Sequence, residues 1–293
     1  MFKSGFVAIA GRPNVGKSTL LNTIIGERIA ITSRKPQTTR NRITGIKNAP
    51  EGQCVFIDTP GIHRAKTPLG RSLVSTALKV LTGVDIILFM VETARRTSPD
   101  DSLVLEALSD TSTPVFLIIN KIDRIAGEDL LPLIDRMKNL HPFETIIPLS
   151  AVTGCNVDTL LLELWKHLPE GPPFFPEDMM TDLSERFFAS EMIREQITLN
   201  THQELPYTTA VVIDTFKDDE EKNLIRIQAT VLVAKQSQKG ILIGKKGGML
   251  KKIGTGARLA MERFFGSRVF LELFVKVKKD WHESSSMLRE LGY

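Results

Sequence analysis

The octapeptide GRPNVGKS at 11–18 constrains this chain more than any other stretch. It follows the apolar run FVAIA (6–10) and leads into STLLNTII, so two glycines and a lysine sit between a strand and a helix. In that setting Gly11 and Gly16 let the backbone wrap a phosphate. The amides from Asn14 onward point inward, while Pro13 has none to give. Lys17 is placed to reach the β- and γ-phosphates, and Ser18 to ligate Mg²⁺. Arg12, Val15 and Thr19 complete the loop and first helical turn that would line a nucleotide. Such a loop needs a buried parallel strand behind it, so it presupposes an α/β sheet.

The first 170 residues meet that requirement. CVFID (54–58), DIILFMV (85–91), PVFLIIN (114–120) and ETIIPLS (144–150) are near-continuous apolar runs, suited to strands covered on both faces. SLVSTALKVL, DSLVLEAL, EDLLPLIDRM and VDTLLLELWKHL supply intervening amphipathic helices. The expected fold is a doubly wound α/β P-loop sheet. LPEGPPFFPED (168–178) then interrupts with four prolines, which cannot continue a helix. With 293 residues the chain has room for two cores, so the expected division is a nucleotide-binding domain over 1–168, a proline-rich linker over 169–181 and a second domain over 182–293.

In the second half, Asp182 with Glu185 reads as a capping pair ahead of a helix bearing Phe187, Phe188, Met192, Ile193 and Ile197. TTAVVIDTF (208–216), LIRIQATVLVA (224–234) and RVFLELFVKVK (268–278) alternate as half-buried strands do. Between the last two lies ILIGKKGGMLKKIG (241–254), a glycine loop and a helix with Leu250, Ile253, Ala257, Ala260 and Phe264 inward. A small α+β domain follows from this order.

Charge singles out the same region. Lys235 to Lys279 holds 12 Lys/Arg against Glu262 and Glu272, a local +10, so the remainder of a chain of net charge +4 carries −6. Arg28 to Lys47 is a second basic stretch, with six Lys/Arg and no acid. A basic cluster around a glycine loop points to a polyanion. Ile243-Gly244-Lys245-Lys246-Gly247 lacks P-loop spacing but matches the GXXG loop of KH domains, which clamps about four single-stranded nucleotides. Gly244 and Gly247 allow close approach to the sugar-phosphate chain; Lys245, Lys246, Lys251, Lys252 and Arg258 would neutralise it.

Other classes recede. No apolar run is long enough to span a bilayer, and the first residues do not read as a cleaved signal. Cys54 and Cys155 have no metal-like spacing, so the cytosol is the expected compartment.

Three further strand-end motifs define the nucleotide. Asp58-Thr59-Pro60-Gly61 places a carboxylate to hold Mg²⁺ through water and the Gly61 amide toward the γ-phosphate, with Ile62 following. Asn120-Lys121-Ile122-Asp123 offers a carboxylate that can accept from guanine N1–H and the N2 amino group, which adenine lacks. Ser150-Ala151 would bring an amide to guanine O6. Together they resemble GTP-binding proteins of the translation-factor-like class. That resemblance implies that SRKPQTTRNRITG (33–45) is the loop that closes over Mg²⁺, with Thr39 as ligand and Thr38 as the alternative. It also implies slow intrinsic hydrolysis, because Ile62 stands where Ras-like enzymes carry a water-orienting glutamine. In some relatives an asparagine matching Asn14 helps hold K⁺, so stimulation by K⁺, or by an RNA or ribosome partner, is expected. Lys17, Thr39, Gly61 and Asn14 are the residues assigned to catalysis.

One GTPase domain, a short proline-rich linker and a C-terminal type II KH domain resemble the Era family of bacterial GTPases. The likeness spans essentially the whole chain, through GRPNVGKSTLLN, KPQTTR, DTPGIH, NKID, SA, FFPEDMMTD and IGKKG. It implies GTP/GDP and Mg²⁺ as ligands and the 3′-end region of small-subunit (16S-type) ribosomal RNA as partner. It further implies a role in 30S subunit assembly, a monomer, and peripheral association with the inner face of the cell membrane. The alternatives are a neighbouring tRNA-modification or ribosome-assembly GTPase, and an RNA-binding protein in which GTP is only a conformational ligand.

Overall fold

The computed structural model describes residues 1–293 except 33–34, 36–37 and 94–97. Arg34, in the basic loop, therefore lies outside the described residues. Two compact units emerge: Met1–Lys66 with Gly70–Asp182, and Leu183–Tyr293 with Thr67–Leu69.

The first unit is built on six strands: β1 (Lys3–Ala10), β2 (Ile43–Ala49), β3 (Gly52–Asp58), β4 (Ile86–Glu92), β5 (Val115–Asn120) and β6 (Thr145–Pro148). Their order is β2-β3-β1-β4-β5-β6, all parallel except β2, which pairs antiparallel with β3. The apolar runs are buried on both faces, as covered parallel strands require. β2 was not legible as a strand, because ITGIKNA is short, polar at one end and at the sheet edge. Among the described residues five α-helices accompany the sheet: α1 (Lys17–Ile25), α2 (Pro68–Val80), α3 (Pro99–Leu108), α4 (Gly127–Met137) and α5 (Val157–His167). Ala77, Leu81, Val104, Leu108, Leu133 and Met137 cover one face over Ile87, Phe89, Val91, Leu117 and Ile119. α1 lies over β2, where a Cβ on Gly45 would come within 2.7 Å of Leu21.

Two registers place the site. Ile9 pairs with Asp58 and Glu92 with Asn120, so the loops after β1, β3, β4 and β5 all leave the same carboxyl edge. Ligands of open α/β sheets sit at that edge.

The proline-rich segment is bound to this unit along its length. Gly171 N donates to Phe2 O, Ser4 Oγ to Pro172 O, and Ile46 N to Met180 O. The fully buried Gln53 clamps its centre, accepting from Phe174 N (2.7 Å) and Phe175 N (2.9 Å) and donating to Phe175 O (2.8 Å). Thr181 Oγ1 closes the strap on Thr44 O.

The second unit has a three-stranded sheet, β7 (Thr209–Asp219), β8 (Leu224–Val233) and β9 (Arg268–Val277), in that order. β7 and β8 are antiparallel, with a bulge between Ile213 and Thr215; β8 and β9 are parallel. α6 (Glu185–Asn200), α7 (Gln236–Ile243) and α8 (Gly248–Phe265) contribute Ala189, Ile193, Ile197, Leu242, Ile253, Ala257 and Met261 to one core with Ile227, Ala229 and Val231. α9 (Ser285–Glu290) follows the sheet.

Three expectations change here. The cap of α6 is Ser184, whose hydroxyl accepts from Phe187 N, because Asp182 lies two residues too far out. α7 occupies what read as an apolar stretch; the buried Gln238 starts it by accepting from Ala234 N and Lys235 N. In α8 the inward row runs 253, 257, 261, so Phe264 is 37% exposed and rests on Phe188 at 4.8 Å between rings.

Candidate functional site

The N-cap of α1 is Gly16, whose φ of 107° suits glycine, and the helix has no side-chain cap and no acid in its first turn. Its first amides and the positive end of its dipole are thus left for an anion. Substitution is blocked on both sides: a Cβ on Gly16 would lie 2.3 Å from Asn120 Nδ2, and one on Gly11 2.4 Å from Met90 O. Lys17 is buried, and its Nζ donates to Gly11 O (3.2 Å) and Arg12 O (3.1 Å). Burial lowers its pKa to about 8; Asp58 opposes that shift and Arg12 adds to it. A phosphate at the loop would supply the missing counter-charge.

Three oxygens converge beside it. Ser18 Oγ donates to Asp58 Oδ2 (2.5 Å) and lies 2.7 Å from Thr39 Oγ1, which is 3.5 Å from Asp58 Oδ2. Thr38 turns instead to Lys35 O (2.7 Å). Asp58 is fully buried, and its Oδ1 has no hydrogen-bond partner among the described residues. Burial pushes its carboxyl up to about 6, against Lys17, Ser18 and Thr39, which pull it down. Hard oxygen donors with an orphaned carboxylate oxygen fit Mg²⁺.

Gly61 packs so closely on the P-loop that its Cβ would stand 2.7 Å from Pro13. Ile62 was expected to line the nucleotide, but its side chain is 2% exposed in the helix-covered core and its amide donates to Gly11 O. Thr59 likewise turns its hydroxyl to Ile9 O, and the fully buried Val15 has only its backbone to offer.

The base loop is tied to the P-loop. Asn120 Nδ2 donates to Val15 O (2.7 Å), and Lys121, at φ 68°, reaches Asn14 O (2.8 Å). Asp123 is exposed and held by Ser150 Oγ (2.6 Å), which leaves it open to a base. The amide of Ala151, expected on O6, donates to Asn120 Oδ1 (2.9 Å), so a purine carbonyl would have to share it. Ile122 donates its amide to Leu149 O, and Pro60 is buried.

Arg12 departs most from expectation. Its guanidinium turns from the phosphate side to Glu92, which also receives Lys121, and faces Asp101 at 3.3 Å. Glu92 and Asp101 were not singled out from sequence. The available signal was an acid ending the apolar run of β4 at the ligand edge of the sheet.

In the second unit, Gly244 (φ 73°, ψ 177°), Lys246 (φ 51°) and Gly247 (φ 76°) make the glycine loop between α7 and α8. A Cβ on Gly244 would lie 2.7 Å from Met249 Cβ, so close packing of the turn on the start of α8, together with the positive φ, requires glycine there. Lys245, Lys246, Lys251 and Lys252 are exposed, while Ile243 is half-buried. Arg258 is not a free cation: it pairs with Glu262 (2.8 Å), whose carboxylate also accepts Val269 N.

Comparisons with known proteins follow the same division. A family described as a 50S ribosome-binding GTPase matches residues 6–121, and the KH domain matches residues 204–282. The GTPase Era of Syntrophus aciditrophicus is 61% identical over 293 residues, covering 100% of this chain and 96% of the relative. That of Geobacter metallireducens is 52% identical over 292 residues, covering 100% and 98%. Among solved structures, an Era variant of Aquifex aeolicus bound to GDP·AlF4⁻ is 43% identical over 100% of this chain and 99% of that one, with a TM-score of 0.95. Era bound to MgGDPNP and nucleotides 1506–1542 of 16S ribosomal RNA is also 43% identical, with the same coverage and a TM-score of 0.96.

Proposed function

The chain belongs to the Era family of GTPases, and from that premise we propose that it is a guanine-nucleotide switch that binds the 3′-end region of small-subunit ribosomal RNA and assists 30S assembly. As a GTPase it converts GTP and water to GDP and phosphate. The observation that carries the reading is the convergence of Ser18, Thr39 and Asp58 beside an uncapped helix N-terminus. Those three residues would hold Mg²⁺, which supplies positive charge to the β- and γ-phosphate oxygens when bound. Lys17 adds its ammonium to the same oxygens, and the Gly61 amide meets the γ-phosphate. Asp123 selects guanine. With Ile62 turned into the core, no side chain from that position orients water, so intrinsic turnover is slow. K⁺ held near Asn14 would add charge; equal turnover in Na⁺ and K⁺ buffers would remove it from the scheme.

The functional modules are 1–168 for nucleotide, 169–181 as strap and 182–293 for RNA. Gly244–Gly247 grips the sugar-phosphate chain, with Lys245, Lys246, Lys251 and Lys252 as counter-charges and Arg258 contributing less. The protein acts as a monomer in the cytosol. From family resemblance alone we also propose peripheral association with the inner face of the cell membrane; among the described residues no helix is long and apolar enough to cross a membrane. Co-flotation with anionic vesicles tests it. Crosslinking to ribosomal RNA in the GTP-analogue and GDP states, with mapping of the sites, tests the main proposal. Contacts at the 3′ end through the 244–252 region are expected; contacts elsewhere overturn it.

A further inference from the structure

Glu92 ends β4 one register step from the base loop, opposite Asn120 on β5. Its two carboxylate oxygens go to different partners: Oε1 accepts from Arg12 of the phosphate loop and Oε2 from Lys121 of the base loop. The three residues lie 80 and 29 positions apart in sequence, and their side chains are only 18–27% exposed. Exposed ion pairs contribute little, but a partly buried carboxylate shared by two cations is a different object. Burial alone would raise the Glu92 carboxyl; the bonds and charges of Lys121 and Arg12 outweigh it and hold the group below its usual range.

We propose that Glu92 is a positioning residue for the nucleotide: by bridging Arg12 and Lys121 it fixes the separation of the phosphate and base loops, and so sets how long a bound guanine nucleotide stays. The inference rests on the guanine-nucleotide reading of the site. Three observations support a clamp rather than a surface pair.

First, the Lys121 ammonium donates to Asn14 O (2.8 Å) as well as to Glu92, so one cation of the base loop is tied at once to the phosphate loop and to the end of β4. Second, Arg12 is steadied from the far side by Asp101 at 3.3 Å, and Asp101 is itself fixed as the third residue of the α3 capping box, accepting Ser98 N. The guanidinium is thus hydrogen-bonded to Glu92 and faced by the charge of Asp101 from a separate element, without a hydrogen bond to it. Third, the Asn120 bond to Val15 O joins the same two loops at a second point. Two tethers about one strand width apart define a separation; one alone would allow rotation.

Removing the Glu92 charge leaves two cations without their shared counter-charge, and their repulsion opens the loops. The consequence falls on binding. Asp123 is untouched, so discrimination between guanine and hypoxanthine nucleotides should persist while both are released faster.

The test is stopped-flow release of a fluorescent GDP from the full-length wild type and from Glu92→Gln, Glu92→Asp, Arg12→Ala and the Arg12→Ala/Glu92→Gln pair. Thermal melting of each nucleotide-free protein runs alongside. Glu92→Gln keeps the side-chain shape, and about ten-fold faster release is expected. GDP and IDP should be affected alike, with the loss on KM rather than kcat. Glu92→Asp, too short to reach both partners, should be intermediate. The double variant should release more slowly than the product of the single effects implies, because the two residues act through one bridge. Release from Glu92→Gln within two-fold of wild type overturns the proposal. So do multiplicative effects of the two substitutions, or a lower melting temperature with release unchanged. If wild-type protein retains no guanine nucleotide at all, the reading of the site fails instead, and the two failures are distinct.

Discussion

Ser18 Oγ donates to Asp58 Oδ2 at 2.5 Å, while the other oxygen of that buried carboxylate has no partner among the described residues. A hydroxyl and a half-satisfied carboxylate side by side suit a divalent cation better than they suit each other. Protons compete with a metal ion for this carboxylate. Because burial raises Asp58 to about 6, above the usual carboxylate value of about 4, this group favours the metal-free fold below about pH 4 and loses that contribution as pH rises through about 6. Mg²⁺ requires the ionised form. Its affinity should fall by about ten-fold per unit below about pH 6, measured by Mg²⁺ titration of nucleotide exchange. Affinity unchanged between about pH 7 and pH 5 contradicts it.

Asp123→Asn should shift preference from guanine to xanthine nucleotides, since the amide offers a donor where xanthine has a carbonyl. Losing hydrogen bonds to a charged group, at about 1.5–3 kcal/mol each, should lower GTP affinity by at least about ten-fold. Competition binding with GTP and XTP reads both changes, and unchanged GTP affinity removes Asp123 from the pocket.

Ile62→Gln should not create a faster enzyme. The side chain is 2% exposed within the core, so the amide would be buried without partners. A destabilisation of about 2–4 kcal/mol is expected by denaturant titration, with no gain in single-turnover rate. Faster hydrolysis would show that this position faces the water after all.

Gln53→Ala should free the strap. Phe174 N and Phe175 N would lose their acceptor, and because Phe174 is exposed and Phe175 half-buried, water takes its place in part and the cost is about 1 kcal/mol per bond. Hydrogen exchange at those two amides should accelerate, and protease should cut within 172–180. Exchange as slow as in wild type would mean the strap is held without the clamp.

Function is legible in the sequence where one residue's chemistry decides its place. The P-loop, the DTPG carboxylate and NKID stand out because a glycine turn, a metal ligand and a base-reading carboxylate tolerate few substitutes. Least is legible where several segments must meet. Gln53 reads as one polar residue in a strand, and only the fold brings Phe174 and Phe175 to it. Glu92 needs Arg12 and Lys121, which lie far apart in sequence. α7 was missed because ILI resembles a strand end, and what starts the helix is a glutamine folding back on Ala234 N and Lys235 N. Arg258 read as an outward cation; its partner Glu262 stands one helical turn away, a spacing open to reading beforehand.

The proposed guanine-nucleotide switch implies that nucleotide state alters RNA binding at the glycine loop of the second unit. Its most direct test is the affinity of a 3′-terminal small-subunit rRNA oligonucleotide for GTP-analogue-loaded and GDP-loaded protein, as a function of salt, with Lys245→Ala/Lys246→Ala as comparison. Tighter binding is expected in the GTP-analogue form, by about 5–150-fold, the usual range of such coupling. A salt slope reduced by about 1.4 is expected in the double variant, at about 0.7 per single-strand phosphate contact. Equal affinity in both nucleotide states, or an unchanged slope without the two lysines, would contradict it.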